Sequence, residues 1–98
     1  MAVKDASYVP DEQQLLVFKA LADTVRLQIV AYLKQQPEAV TCGQVGQIIG
    51  ISKTAGSYHF KLLETAGLIT VEKIAREKYV TLNSKTFDRY VTNFYELL

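Results

Sequence analysis

The chain has no tryptophan, two prolines, five glycines, one cysteine and one histidine in 98 residues. So little proline and glycine excludes a collagen-like or linker-rich chain. One cysteine excludes an intramolecular disulfide framework and, by itself, a cysteine-rich zinc site. A reducing compartment fits best. Residues Met1 to Ala6 hold no apolar run, so no secretory signal is expected. No apolar stretch approaches the ~18 residues that span a bilayer, and no membrane partner is expected. Also missing are a glycine-rich phosphate loop, a nucleophile elbow and an acid–base pair, so the chain does not read as an enzyme.

What is present is ordinary globular material: 49 % hydrophobic and 21 % charged residues, enough for one domain over 1–98 with residues 1–9 as a flexible arm. Net charge is only +1. The excess sits in one block, residues 51–80, where Lys53, Lys61, Lys73, Arg76 and Lys78 face Glu64, Glu72 and Glu77.

Along the chain, Pro10-Asp11-Glu12 reads as a helix start, because proline suits the first turn and acids suit the positive end of the dipole. Leu15, Phe18 and Ala22 then make one apolar face. Asp23 can cap a second helix, with Leu27, Val30 and Ala31 at helical spacing and Ile29 and Leu33 beside them. Gln35-Gln36-Pro37 ends it. Thr41 to Gln44 has the form of a capping box, and Gly50 suits the left-handed position that closes a short helix. Ser52 can cap the next helix, which should run to about Ala66 and stop at Gly67. A short helix, a turn of two or three residues and a second helix is the spacing of a helix-turn-helix.

After Gly67 the period changes. Leu68 to Val71 and Tyr79 to Leu82 are strand formers around a charged tip from Glu72 to Lys78. Ser84 can cap a last helix with Phe87, Tyr90, Val91, Phe94, Leu97 and Leu98 on one stripe. The expected fold is mainly α with a β-hairpin: a winged helix-turn-helix of about five helices and a two-stranded wing.

Two segments carry a family resemblance. Lys19-Ala20-Leu21-Ala22-Asp23-Thr24-Val25-Arg26-Leu27-Gln28-Ile29 resembles the start of the second helix of the ArsR/SmtB-type bacterial repressors. Ser57-Tyr58-His59-Phe60-Lys61-Leu62-Leu63-Glu64-Thr65-Ala66-Gly67-Leu68-Ile69 resembles their recognition helix and its exit into the wing. The likeness covers about residues 11–98. It departs from the family pattern at Thr24, where proline is usual, and at the wing tip, where Ile74-Ala75-Arg76-Glu77 holds no glycine. The resemblance implies a cytoplasmic homodimer that binds double-stranded operator DNA and releases it when a small-molecule effector binds. The effector here has no motif to identify it.

A helix that enters the major groove needs one buried face and one carrying short polar and basic groups. Gly56, Phe60 and Leu63 form the first. Thr54, Tyr58, Lys61 and Thr65, with Ser57 on the flank, form the second. We assign Ser57 and Tyr58 to bases, Thr54 and Lys61 to bases or phosphate, and Ser52 and Lys53 to phosphate. Lys73, Arg76 and Lys78 on the wing suit phosphates or an adjacent minor groove. A solvated face is the bland alternative for both. The apolar stripe on the last helix exceeds what so small a domain can cover, and a two-fold contact is the economical answer. The resemblance implies the same, with the first and last helices forming the interface, and Leu15, Phe18, Val91, Phe94, Tyr95 and Leu98 are its expected residues.

His59 is either a packed, hydrogen-bonded side chain or a DNA contact. Cys42 sits in a first helical turn, where the dipole lowers a thiol pKa, and is either redox-active or a small buried side chain. Some relatives bind metals through a cysteine pair on the third helix or through carboxylates and histidines on the last. Here Thr41-Cys42-Gly43-Gln44-Val45 offers one thiol, and Asp88 and Glu96 have no histidine beside them, so no metal or cofactor is expected. The competing function is a winged-helix protein-interaction or dimerisation module that does not read DNA.

Overall fold

The computed structural model describes residues 8–98. Most of the expected arm over 1–9 therefore lies outside the described residues. The elements are α1 (Glu12–Leu21), α2 (Thr24–Lys34), β1 (Val40–Thr41), α3 (Cys42–Ile49), α4 (Lys53–Thr65), β2 (Ile69–Ile74), β3 (Glu77–Leu82), α5 (Ser84–Phe87), a π-helical turn (Asp88–Thr92) and α6 (Phe94–Leu97).

Each of the first four helices starts on a side-chain cap. Asp11, Asp23, Thr41 and Ser52 accept from the backbone N–H three residues on, at Gln14, Arg26, Gln44 and Ala55. Two glycines end helices where a left-handed residue is needed. Gly50, at φ 83°, closes α3. After α4, Gly67 at φ 81° lets its own N–H reach the Glu64 carbonyl and the Leu68 N–H reach the Leu63 carbonyl, at 2.9 and 3.0 Å. That double closure drops Leu68 onto Leu63, and both are fully buried.

The core joins Val17 and Ala20 of α1, Ile29 and Leu33 of α2, Val45 of α3, Phe60 and Leu63 of α4, and Leu68, Ile69 and Val80 at the sheet. The inner faces of α1 and α2 lie beside the apolar sets that spacing picks out. On α1 the buried positions are Gln14, Val17 and Ala20, and the face of Leu15 and Phe18 stands outside this core. On α2 they are Arg26, Ile29 and Leu33, whereas Leu27 is half exposed. Both helices carry apolar residues on more than one side. Spacing alone then gives two rival faces, and tertiary packing chooses between them.

The sheet also exceeds the expected two-stranded wing. Its order is β1-β3-β2, all antiparallel, with Val40 opposite Val80 and Thr41 opposite Tyr79. Strand β1 is two residues long and its partner lies about forty residues later, so no local pattern marks it.

The hairpin strands run into the residues read as tip, and Ile74 pairs with Glu77 across a two-residue loop of Ala75 and Arg76. Ala75 takes the left-handed conformation that glycine would supply, at φ 58°. An alanine there carries about 1–2 kcal/mol of strain, and glycine would restore about 0.5–1 kcal/mol of chain entropy to the unfolded state. Ala75→Gly should therefore raise stability by about 0.5 kcal/mol, read as a higher urea midpoint with unchanged slope.

The last helix is not continuous. Ser84 is its first residue rather than its cap, and Asn83 stands at the cap without a side-chain bond. The π turn adds a residue to the spiral, and Asn93 Nδ2 donates to the Asp88 carbonyl at 2.9 Å. The stripe is thereby split. Tyr90 turns inward and its hydroxyl donates to Asp11 Oδ2 at 3.2 Å, while Tyr95, Leu97 and Leu98 face out.

Candidate nucleic-acid interface

Helix α4 buries Gly56, Phe60 and Leu63 and exposes Lys53, Thr54, Ser57, Tyr58 and Lys61. Tyr58 is 61 % exposed, a large apolar ring left in solvent. Ser52 uses one hydroxyl lone pair on the Ala55 N–H at 3.1 Å and still has its O–H to donate.

The wing brings its cations to the same side. Residues two apart on a strand share a face, so Lys73 and Lys78 continue the face on which Val71 and Val80 point inward. Beyond the core that face overhangs the start of α4. Lys73 stands directly opposite Lys78 in the register. Two ammonium groups so placed cost about 0.2–1 kcal/mol until an anion lies between or beside them.

The result is an open cleft of about 720 Å³ between α3, the start of α4 and the wing. Six of the nine expected DNA-contacting residues line it: Ser52, Lys53, Ser57, Lys73, Arg76 and Lys78. Glu77 is the one acid on its wall. Thr54, Tyr58 and Lys61 lie outside the cleft on the outward face of α4. The nine residues thus form a single surface of hydroxyls, one aromatic ring and five cations.

His59 resolves as a packed side chain. Its side chain is 13 % exposed, and Nδ1 lies 3.0 Å from Arg26 Nη1 and 3.9 Å from Asp23 Oδ2. The Asp23 carboxyl is held below its ordinary range, first by accepting the Arg26 backbone N–H, with the Arg26 charge adding to this and desolvation opposing it. Arg26 is the residue that sequence reasoning passed over; Asp23 was read as a cap and nothing more. The signal was the Asp-x-x-Arg spacing at a helix start, which puts an arginine one turn inside the cap.

Cys42 fits the second of its two readings, a small side chain withdrawn from solvent. It is the first residue of α3, but burial pushes its thiol above the ordinary value, and the nearby Lys78 charge only partly offsets this. Desolvation disfavours the thiolate, and the Glu64 charge adds to it. Cys42 should alkylate several-fold more slowly than free cysteine at neutral pH and reach the free rate in concentrated urea. Faster reaction in the folded state would contradict this.

Among the described residues, no group of three or more His, Cys, Asp or Glu is placed to hold a metal ion. No helix among them is long and apolar enough to cross a membrane. Of the expected interface residues, Phe18 and Phe94 meet edge to face at 4.9 Å. Val91 packs partly on the protomer's own core. Leu15, Tyr95 and Leu98 are exposed, Tyr95 to 82 %.

A helix-turn-helix domain model matches residues 21–72. The chain is 43 % identical over 88 residues to the uncharacterized HTH-type transcriptional regulator YceK of Bacillus subtilis, covering 90 % of this chain and 88 % of that protein. It is 38 % identical over 68 residues to the arsenical resistance operon repressor of Bacillus subtilis, covering 69 % and 64 %. Among solved structures, the homodimeric winged helix-turn-helix DNA-binding domain from Mycobacterium bovis superposes with a TM-score of 0.70 at 23 % identity, covering 91 % of this chain and 75 % of that one. HlyU from Vibrio cholerae gives 0.69 at 25 % identity, covering 99 % and 97 %. Helix-turn-helix plus three-stranded wing define the class as winged helix-turn-helix regulators. Within it, the chain belongs to the ArsR-type family of transcriptional regulators.

Proposed function

We propose that this chain is a cytoplasmic homodimeric repressor. It reads an inverted repeat in double-stranded DNA through α4 and grips the flanking backbone with its wing. The observation that carries this is the single surface formed by the hydroxyl face of α4 and the paired Lys73 and Lys78. Hydroxyls of Ser57 and the Tyr58 ring suit base edges and thymine methyls. Ser52 and Lys53 at the start of α4 suit a phosphate, as do Lys73, Arg76 and Lys78. Thr54 and Lys61 serve either. Leu15, Phe18, Val91, Phe94, Tyr95 and Leu98 meet their copies across a two-fold axis. Two recognition helices about one DNA turn (~34 Å) apart then face successive major grooves. An organic effector that favours a dimer with misplaced α4 helices releases the DNA by population shift.

Footprinting the DNA beside the protein's own gene tests this. The wild type should protect an inverted repeat. Tyr58→Ala with Lys61→Ala should lose protection yet remain dimeric by sedimentation. Unchanged protection by the double variant would contradict the reading and favour a docking module.

A further inference from the structure

We propose that Arg26 and His59 are positioning residues: a clamp that fixes the angle between α1 and the recognition helix, and so the spacing of half-sites a dimer accepts. This rests on the DNA-reading role of α4 proposed above. Arg26 is only 8 % exposed, a rare place for a permanent charge. Its Nε donates to the Ala20 carbonyl near the end of α1 at 2.6 Å, and its Nη1 donates to His59 Nδ1 at 3.0 Å. A guanidinium only donates, so the imidazole accepts at Nδ1 and keeps its proton on Nε2. One side chain from α2 thus joins α1 to α4.

Stability alone does not account for the arrangement. A buried ion can often be replaced by an apolar side chain of similar volume with no loss. What an apolar side chain lacks is direction. The planar guanidinium holds two acceptors at a fixed angle. Those acceptors belong to the helix that carries Leu15 and Phe18 and to the helix that carries Tyr58. The Tyr58 ring meets the His59 ring edge to face, with centroids 5.3 Å apart. A helix the length of α4 is about 20 Å long, so a tilt of about 10° moves its far end by about 3 Å, roughly one base-pair step.

The test uses the shortest duplex that the wild-type dimer shifts, and versions with one base pair added to or removed from its centre. The wild type should discriminate against the altered spacings by on the order of tenfold. Arg26→Met and His59→Leu should lose on the order of tenfold on the parent duplex and bind all three spacings nearly alike. His59→Asn, which puts an oxygen acceptor near the Nδ1 position, should recover both affinity and discrimination. Full discrimination by His59→Leu, or failure of His59→Asn to recover it while circular dichroism shows an intact fold, would overturn the clamp. Nitrogen NMR separates this from failure of the DNA-reading role. If no duplex is shifted, that role falls, and a His59 proton found on Nδ1 at neutral pH would overturn the clamp independently. A bare Nδ1 whose shift changes in Arg26→Met supports it.

Discussion

Replacing Lys73, Arg76 and Lys78 together with alanine should cost on the order of a thousandfold in DNA affinity at moderate salt. In the proposed complex the three residues neutralise phosphates through charge, and their loss from both protomers removes six cations from the dimer. A log–log plot of affinity against salt should become shallower by about five units. Base discrimination should survive, because Ser57 and Tyr58 stay in place on α4. The variant should fold at least as well as the wild type, since it relieves the repulsion between Lys73 and its register partner Lys78. An unchanged salt slope would show that the wing does not touch the backbone. Measuring affinity at several salt concentrations, together with a urea curve, reads both effects.

The largest effect on stability should come from Gly67→Ala. The residue is left-handed at φ 81°, and an added Cβ would lie 2.6 Å from Gln13 Nε2. Gln13 Nε2 is itself occupied, donating to the Ala66 carbonyl at 3.1 Å and tying α1 to the end of α4. Backbone strain of about 1–2 kcal/mol and the loss of one hydrogen bond worth about 1 kcal/mol should destabilise the fold by about 2–3 kcal/mol. Gly43→Ala is the contrasting case. It lies inside α3, and nothing stands within 4 Å of its would-be Cβ. That change should stabilise by about 0.5–1 kcal/mol through helix propensity. Urea midpoints that failed to separate the two variants would contradict the assigned backbone geometry.

How much the sequence disclosed varied with how local the cause was. Ser52, Gly50 and Gly67 announced the limits of α3 and α4, because caps and left-handed closures act within a few residues. Gly56, Phe60 and Leu63 identified the inner face of α4 because its outer face holds no comparable apolar set. The inner faces of α1 and α2 were not legible in this way. Leu15 and Leu27 are apolar yet face outward, and Gln14 and Arg26 are polar yet face inward. Gln14 accepts from the Tyr8 hydroxyl and Arg26 donates to Ala20 and His59, partners that only the folded chain supplies. The π turn and β1 were invisible for a related reason. One depends on Asn93 reaching back to Asp88, and the other on a strand in the wing. For the site, the residue types were legible. What was not legible was that Lys73 and Lys78 would stand opposite each other and face the start of α4.

The most direct measurement is unbiased selection of bound duplexes from a random pool, using the intact protein at moderate salt. An enriched inverted repeat with half-site centres about one helical turn (~10 bp) apart is the predicted result, with enrichment abolished in Tyr58→Ala with Lys61→Ala. A pool that stays random, or a single unrepeated site bound equally well by the double variant, would contradict the assignment of the α4 face to DNA.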